Sequence, residues 1–424
     1  MTDLFEKLEK DHGPIGQHLE RAHGYFAFPK LEGELGSRMT FRGKEKIVWS
    51  LNNYLGLVNH PETRKIDTIA AQKWGMGYPM GSRMMSGNTT MHEDLEKVLS
   101  EFVIREDAML LNYGYQGVMS CIDALVNRRD VIVYDGEAHA CLIDGIRLHI
   151  GYSYKYKHND VEDCAKQLAR AEKMAGKNGG GILVITEGVF GMSGSQGKIK
   201  EIVALKKKYN FRILIDDAHG FGSMGPTGAG ADEEQGCQKD VDLYFSTFVK
   251  SMGSIGAFIA GPKSIITYLR YNVRSQIFAK SLPLIVVEGM MKRMEMLKTM
   301  PELREKLWHN VNKLQNGLRE KGFDIGNTNS PVTPVYMKGD LPEATGMVMD
   351  MRENYNIFCS VVVFPVIPKG QIIFRLIPTT AHSDEDTELT LKAFEETKKK
   401  LDAGIYKAED IPDMADTGMG QKGE

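Results

Sequence analysis

Between about residue 107 and residue 260, short apolar runs alternate with longer stretches of helical period. The runs are AMLLN, VIVYD, GILVITEG, FRILIDD and LYFSTF, and stretches such as VEDCAKQLARAEKMAG and IKEIVALKKKYN lie between them. A strand that is apolar along its whole length is buried on both faces, and the helices that return the chain supply the cover. The pattern predicts an α/β fold with a mostly parallel sheet covered by helices. Ligands bind such sheets at the carboxyl ends of the strands. Asp135, Glu187, Asp216, Asp217 and Thr247 all fall at predicted strand ends.

The flanks follow other patterns. Residues 1–24 read as an amphipathic helix, with Leu4, Phe5, Leu8, Ile15 and Leu19 near helical spacing. Gly33, Gly36 and Gly43 then punctuate short strands that end in KIVWSLNNYLGL. Helices are predicted over 62–73 and 92–104, and residues 263–325 are strongly helical. From about 326 the strands VTPVYMKG, FCSVVVFPVI and QIIFRLIPTT accompany helices at 342–354 and 384–402, as in a smaller α+β domain. The expected division is 1–55 for an N-terminal helix and short strands, 56–290 for a large domain, 291–410 for a small C-terminal domain, and 411–424 for a polar, disordered tail.

Composition narrows the function. Hydrophobic residues make up 42% and charged ones 26% of the 424 positions, which suits a soluble protein with a full core. Fifty-three basic residues against 56 acidic ones leave a net charge of −3, which argues against nucleic acid as a partner. The five cysteines show no CxxC spacing, so neither a metal site nor a disulfide framework is expected. The charged start MTDLFEKLEKDHG is no secretory signal, and no apolar run approaches the roughly 20 residues of a membrane span. A cytoplasmic location is expected. The 24 methionines, several of them between Met76 and Met91, fill core or line an adaptable apolar pocket.

Within this frame, Lys250 in YFSTFVKSMGSIGAF stands between an apolar run and a small-residue loop. It is either a surface lysine or an amine aimed into a cavity, where desolvation and neighbouring charge make it a nucleophile. Its company favours the second. Asp216, at a strand end three residues before His219, could hold a pyridine nitrogen protonated and so keep an aromatic electron sink. Gly114 and Tyr115 open a helix whose backbone N–H groups could bind a phosphate, although an ordinary turn would look the same. His139 could stack on a ring or be a plain loop histidine. Arg375, inside an apolar strand, needs an anion, either a substrate carboxylate or a structural acid. Together these groups suit a pyridoxal phosphate (PLP) Schiff base on Lys250. GFGSMG at Gly220–Gly225 matches a dinucleotide fingerprint, but Pro226, Gly228 and Gly230 follow it, which is loop rather than helix composition.

The ordered motifs resemble the PLP-dependent α-oxoamine synthases, which include serine palmitoyltransferase, aminooxononanoate synthase, glycine C-acetyltransferase and aminolevulinate synthase. The resemblance runs from SLNNYLGL at Ser50–Leu57, through GSR at Gly81–Arg83, the His139 loop, TEGVFGM at Thr186–Met192, DDAH at Asp216–His219 and STFVKS at Ser246–Ser251, to Arg375 and His382. It implies a fold type I homodimer whose large, 56–290 domain carries a seven-stranded-type sheet and binds PLP. Lys250 would then be the Schiff-base lysine and the base for the Cα proton. Asp216 would pair with the ring nitrogen, His219 with the ring hydroxyl, and His139 would stack on the ring. Gly114, Tyr115 and Thr247 would hold the phosphate, with Asn53 and Arg375 near the substrate carboxylate.

The implied reaction condenses a small amino acid with an acyl thioester, loses CO₂ and releases an aminoketone. The sequence departs from the family pattern at Gly191, where Ser is usual, at Ser193 and Ser195, where acidic residues are common, and at Ala279–Lys280. Missing hydroxyls and the added Lys280 cation favour cysteate as the amino acid, as in the cysteate fatty-acyltransferases of sulfonolipid synthesis, with serine next. The donor would be a long-chain acyl group on coenzyme A or acyl carrier protein, and the lipid product would bring the enzyme close to a membrane surface. Aminooxononanoate and glycine acyltransfer remain as alternatives, and a nicotinamide-dependent dehydrogenase as a remote one.

Overall fold

The computed structural model describes residues 3–10, 13–16 and 22–407. By internal contacts it forms two compact units, one of Asn52–Trp308 with Asn329–Pro331, the other of Met1–Leu51, His309–Thr328 and Val332–Glu424. These limits differ from the boundaries expected at 55 and 290, because the first 51 residues group with the C-terminal part rather than standing alone.

The larger unit is built on a seven-stranded sheet. Its strands run in the order Asp107–Leu111, Ala257–Gly261, Leu243–Thr247, Arg212–Asp216, Ile182–Glu187, Val131–Asp135, Tyr152–Tyr156. Every neighbouring pair is parallel except the two made by Ala257–Gly261, which is antiparallel to both its neighbours. The link from Thr247 to Ala257 is too short for a helical crossover, so that strand returns antiparallel. This strand and Tyr152–Tyr156 were not singled out by the hydrophobic pattern. The latter is an edge strand with mostly solvent-facing side chains, and so carries no apolar run.

The predicted helices are present at Pro61–Trp74, Thr90–Phe102 and Val161–Asn178. Each begins on a side chain, His60, Thr89 or Asp160, that accepts a backbone N–H of the first turn. One face of the sheet packs Leu111, Ile132, Ile185, Leu214, Phe245 and Ile259 against Val118, Ile122, Leu142 and Leu269 of the covering helices. Burying each of these contributes about 1.5–3 kcal/mol, which holds the strand ends in register.

In the second unit, Thr333–Tyr336, Ile373–Leu376 and Ser360–Val362 form an antiparallel sheet with Ile373–Leu376 at its centre. Helices Leu341–Asn354 and Asp384–Asp402, both predicted, open on capping boxes at Asp340–Glu343 and Ser383–Asp386. The N-terminal segment joins this unit because Lys44–Val48 pairs in parallel with Ile357–Phe358. Of the expected 1–24 helix, Leu4–Lys10 and Gly13–Gly16 are helical, and Leu4, Phe5 and Leu8 are exposed. The remainder of that helix, at 1–2, 11–12 and 17–21, and the expected tail at 411–424 lie outside the described residues. Among the described residues no helix is long and apolar enough to cross a membrane.

His382 ties this unit together. Its ring stacks on Trp49 at 3.8 Å and 11°. Its Nδ1 accepts the Thr379 N–H at 3.1 Å, so the proton sits on Nε2, 3.1 Å from the Val48 carbonyl. Burial pushes its pKa down from 6.5 to about 4. Between those values the unfolded chain binds a proton that the folded one refuses, so stability falls as pH drops from about 6.5 towards 4. The loss should reach the order of 3 kcal/mol. In His382→Gln, the urea midpoint followed from pH 7 to pH 4.5 should slope measurably less than in the parent. An unchanged slope would remove His382 as the cause.

Candidate active site

Three strands bring the chemistry together at their carboxyl ends. Register sets Asp216 beside Glu187 on one neighbour and Phe245 on the other. Both carboxyls are buried. Asp216 Oδ1 accepts the Ala218 N–H at 3.0 Å, and the Cys141 thiol lies 3.8 Å from Oδ2. Glu187 Oε1 accepts the His139 backbone N–H at 2.6 Å.

Burial raises the pKa of both acids, but unequally. Glu187 is pushed well above the carboxylate range by desolvation and then by the Asp216 charge. Asp216 is raised by desolvation and pulled back by Lys250 and His139. The environment therefore separates the pair, with the proton on Glu187 and the negative charge on Asp216.

His139 begins the helix Ala140–Leu148, and its Nδ1 accepts the Cys141 N–H at 3.3 Å. The residue as a whole is exposed, but desolvation of its ring lowers its pKa, Asp216 opposes that and Lys250 adds to it. It is accordingly a neutral ring with its proton on Nε2. Tyr115 meets it edge-on, with centroids 6.3 Å apart, and places its hydroxyl on Asp144.

Lys250 is half-buried in the turn after Leu243–Thr247. Its charge acts on Asp216, His139, Glu187 and Cys141 alike, so the lysine belongs to the same cluster. His219 lies on the turn after Asp216, with Nδ1 2.7 Å from the Tyr54 hydroxyl. Asn53 is buried next to Tyr54 in sequence, and its Oδ1 accepts the Val58 N–H at 3.3 Å.

At the neighbouring strand end the helix Gly114–Leu125 starts without any side-chain cap, so its first N–H groups are open to an anion. Gly114 sits so close to Thr247 that a Cβ there would come within 2.3 Å of the threonine methyl. Thr247 Oγ1 and Ser251 Oγ are both buried with no protein partner among the described residues. The side chain of Asn112 donates to the carbonyl of Lys280, which brings that segment to the same end of the sheet; the Lys280 side chain is exposed.

Arg375 lies in the other unit. It is buried in the Ile373–Leu376 strand, opposite Pro334 and Ser360. The GFGSMG segment is a run of turns, and the next helix starts only at Ala231, so no helix opens on those glycines.

Sequence reasoning missed three members of the cluster. Glu187 was placed at a strand end but given no part, and it meets Asp216 only through strand register. Cys141 looked like a small buried hydrophobe. Tyr54 reaches His219 across 165 positions, a pairing that no local pattern reveals.

A lysine, a buried carboxylate, a neutral histidine and an anion cradle at the carboxyl ends of a mostly parallel sheet define a PLP-dependent transferase of fold type I. The unpartnered Thr247 hydroxyl beside an uncapped helix start is what a bound phosphate requires, so the residues fit the cofactor. The chain belongs to the aminotransferase class I and II family, whose model matches residues 44–394, and within it to the α-oxoamine synthases. It is 62% identical to the cysteate-C-fatty acyltransferase of Capnocytophaga ochracea over 96% of this chain and 97% of that one. It is 35% identical to the serine palmitoyltransferase of Bacteriovorax stolpii over 89% and 88% of the two chains. Among solved structures it is similar to a serine palmitoyltransferase from S. paucimobilis with bound PLP–myriocin aldimine, with a TM-score of 0.86 and 28% identity over 95% of this chain and 100% of that one. The chain is thus a PLP-dependent acyltransferase that joins an amino acid to an acyl thioester.

Proposed function

We propose that the amino acid is cysteate and the thioester carries a long fatty acyl chain, on acyl carrier protein or coenzyme A. The product is then a 3-keto aminosulfonate, the first committed precursor of a sulfonolipid. The observation that carries this reading is 62% identity to a cysteate-C-fatty acyltransferase across nearly the whole of both chains.

PLP, when bound, supplies the electron sink for negative charge at the amino acid's Cα. The chain's own residues do the rest. Lys250 holds the cofactor and takes the Cα proton. Asp216 stays anionic and keeps the ring nitrogen's proton in place. His139, neutral and fixed by the start of its helix, offers a flat face to the ring. His219, oriented by Tyr54, serves the ring hydroxyl. Thr247, Ser251 and the N–H groups from Gly114 and Tyr115 bind the phosphate. Asn53 takes the substrate carboxylate, and Lys280 is the added cation for a second anion. Burial of Asp216, Glu187 and Cys141 excludes water from that part of the cluster and strengthens the charge interactions there.

The deciding experiment supplies the purified holoenzyme with a long-chain acyl thioester and, in turn, cysteate, serine, alanine and glycine, following thiol release and CO₂. Cysteate should give the highest kcat/KM by at least about tenfold. Equal or faster turnover of serine would make the chain a serine palmitoyltransferase instead, in line with its 35% identical relative.

A cytoplasmic homodimer completes the reading. Met76, Met80, Met85 and Phe278 of the larger unit are all more than two-thirds exposed, an apolar set that a second copy would cover. Met85→Asp combined with Phe278→Asp should shift the sedimentation coefficient from dimer to monomer. A parent protein that sediments as a monomer at micromolar concentration would refute the dimer.

A further inference from the structure

We infer that Ser195 is a second nucleophile of this chain, with His158 as its base and Asp135 as the acid that orients the base, and that it takes the acyl group of a thioester and passes it to water. This cleavage uses no group of the condensation site, and an acyl thioester is a substrate the chain already receives.

Three neighbouring parallel strands bring the groups together: Ile182–Glu187, Val131–Asp135 and the edge strand Tyr152–Tyr156. Asp135 closes the middle one, His158 follows the edge strand, and Ser195 lies in the segment after the first. Asp135 is buried, and it accepts the Glu137 N–H on Oδ1 at 2.9 Å and the Asn159 N–H on Oδ2 at 3.0 Å. Both of its oxygens are therefore acceptors, and His158 Nδ1, 2.9 Å from Oδ1, carries the proton between them. That leaves Nε2 as the acceptor, with the Ser195 hydroxyl 3.0 Å away. Acid, base and hydroxyl thus stand in the order that activates a serine.

Other contacts hold this order. Phe190 meets the His158 ring edge-on at 4.4 Å. Asn159 fixes the serine segment to its neighbour: its Nδ2 donates to the Gln196 carbonyl at 2.9 Å and its Oδ1 accepts the Lys198 N–H at 3.1 Å. Ser193 Oγ lies 2.9 Å from Ser195 Oγ. An acidic residue at 195, common in the family pattern, would make the contact with His158 an ion pair; the hydroxyl makes it a nucleophile facing a base. The His158 side chain keeps 22% of its surface exposed and that of Asp135 none, so the base is reachable from solvent and the acid behind it is not. Burial of the ring opposes its charged form, but the Asp135 hydrogen bond and the charges of Asp135 and Glu137 prevail, so His158 titrates above its ordinary value.

In the first step Ser195 Oγ bonds to the thioester carbonyl carbon and its proton passes to His158 Nε2. The C–S bond breaks, and the leaving thiolate takes that proton away as free thiol. Water then attacks the acyl-serine, giving its proton to Nε2, and Ser195 recovers the proton as the carboxylic acid leaves.

The test uses the holoenzyme with palmitoyl-coenzyme A and no amino acid, so that condensation cannot release thiol. The parent should release about one thiol per chain in a burst and then turn over slowly, and mass spectrometry should find the palmitoyl group on Ser195. The rate should rise with pH through a value above that of an ordinary histidine. Ser195→Ala should lose the burst and lower the release about a hundredfold or more, while condensation with added amino acid stays within about threefold of the parent. Ser195→Asp, which restores an ion pair to His158 and so protects the fold, should lose the burst equally. A fluorophosphonate probe should label Ser195 in the parent and leave His158→Gln unlabelled. Thiol release at the buffer rate, release unchanged in Ser195→Ala, or a probe that leaves Ser195 unmodified would each overturn the inference.

Discussion

Lys250→Ala will lower kcat for the condensation by about a thousandfold or more and abolish the visible absorbance of the purified protein. The size follows from what a single amine does here. It holds the cofactor, it moves the proton at Cα, and its charge is the largest force drawing Asp216 back toward ionisation. The neighbouring groups should respond in a defined direction. Without that cation the pKa of Asp216 rises, and so does that of His139, whose proton Lys250 repels. Stopped-flow absorbance with the amino acid, and NMR titration of the His139 ring, measure both consequences. A Lys250→Ala protein that keeps its colour and more than about a tenth of its turnover would place the covalent chemistry elsewhere.

Asp216→Asn will cost about 10²–10³ in kcat/KM while leaving the fold intact. The amide keeps an acceptor for the Ala218 N–H, so the turn at the strand end survives. What disappears is the buried negative charge. Two neighbours report on that loss independently of activity. The pKa of His139, which Asp216 raises, should drop further, and the pKa of Glu187, which Asp216 also raises, should fall back toward the ordinary range. If kcat/KM stays within about threefold of the parent, the charge at this strand end is not what supports the electron sink. If activity falls and Glu187 does not shift, the two carboxyls do not share the field that their register implies.

Both variants act on residues that the chain announced early. Lys250 was legible because a lysine between an apolar strand and a loop of Ser and Gly is poor packing material. Asp216 was legible because it closes a strand that is otherwise wholly apolar. Thr247 and Gly114 were placed by the same alternation, and their contact follows from adjacent strand ends. Other features left no mark. The Tyr152–Tyr156 strand has mostly exposed side chains and no apolar signature. Glu187 acquired its meaning from register with Asp216, and register is a property of two strands together. Gly191 was visible as a departure from the family pattern, but that it lies against His219 is a tertiary contact.

Local periodicity and residue chemistry were sufficient for five of the seven strands of the larger sheet and most helices, its mostly parallel character, and the end of it that carries the reactive groups, because those depend on neighbours within a few residues. Which carboxyl keeps its proton and what holds His219 in place were decided only when segments tens to hundreds of positions apart came into contact. Charge regulation and steric exclusion act through space over a few ångströms, and a linear chain does not record those distances.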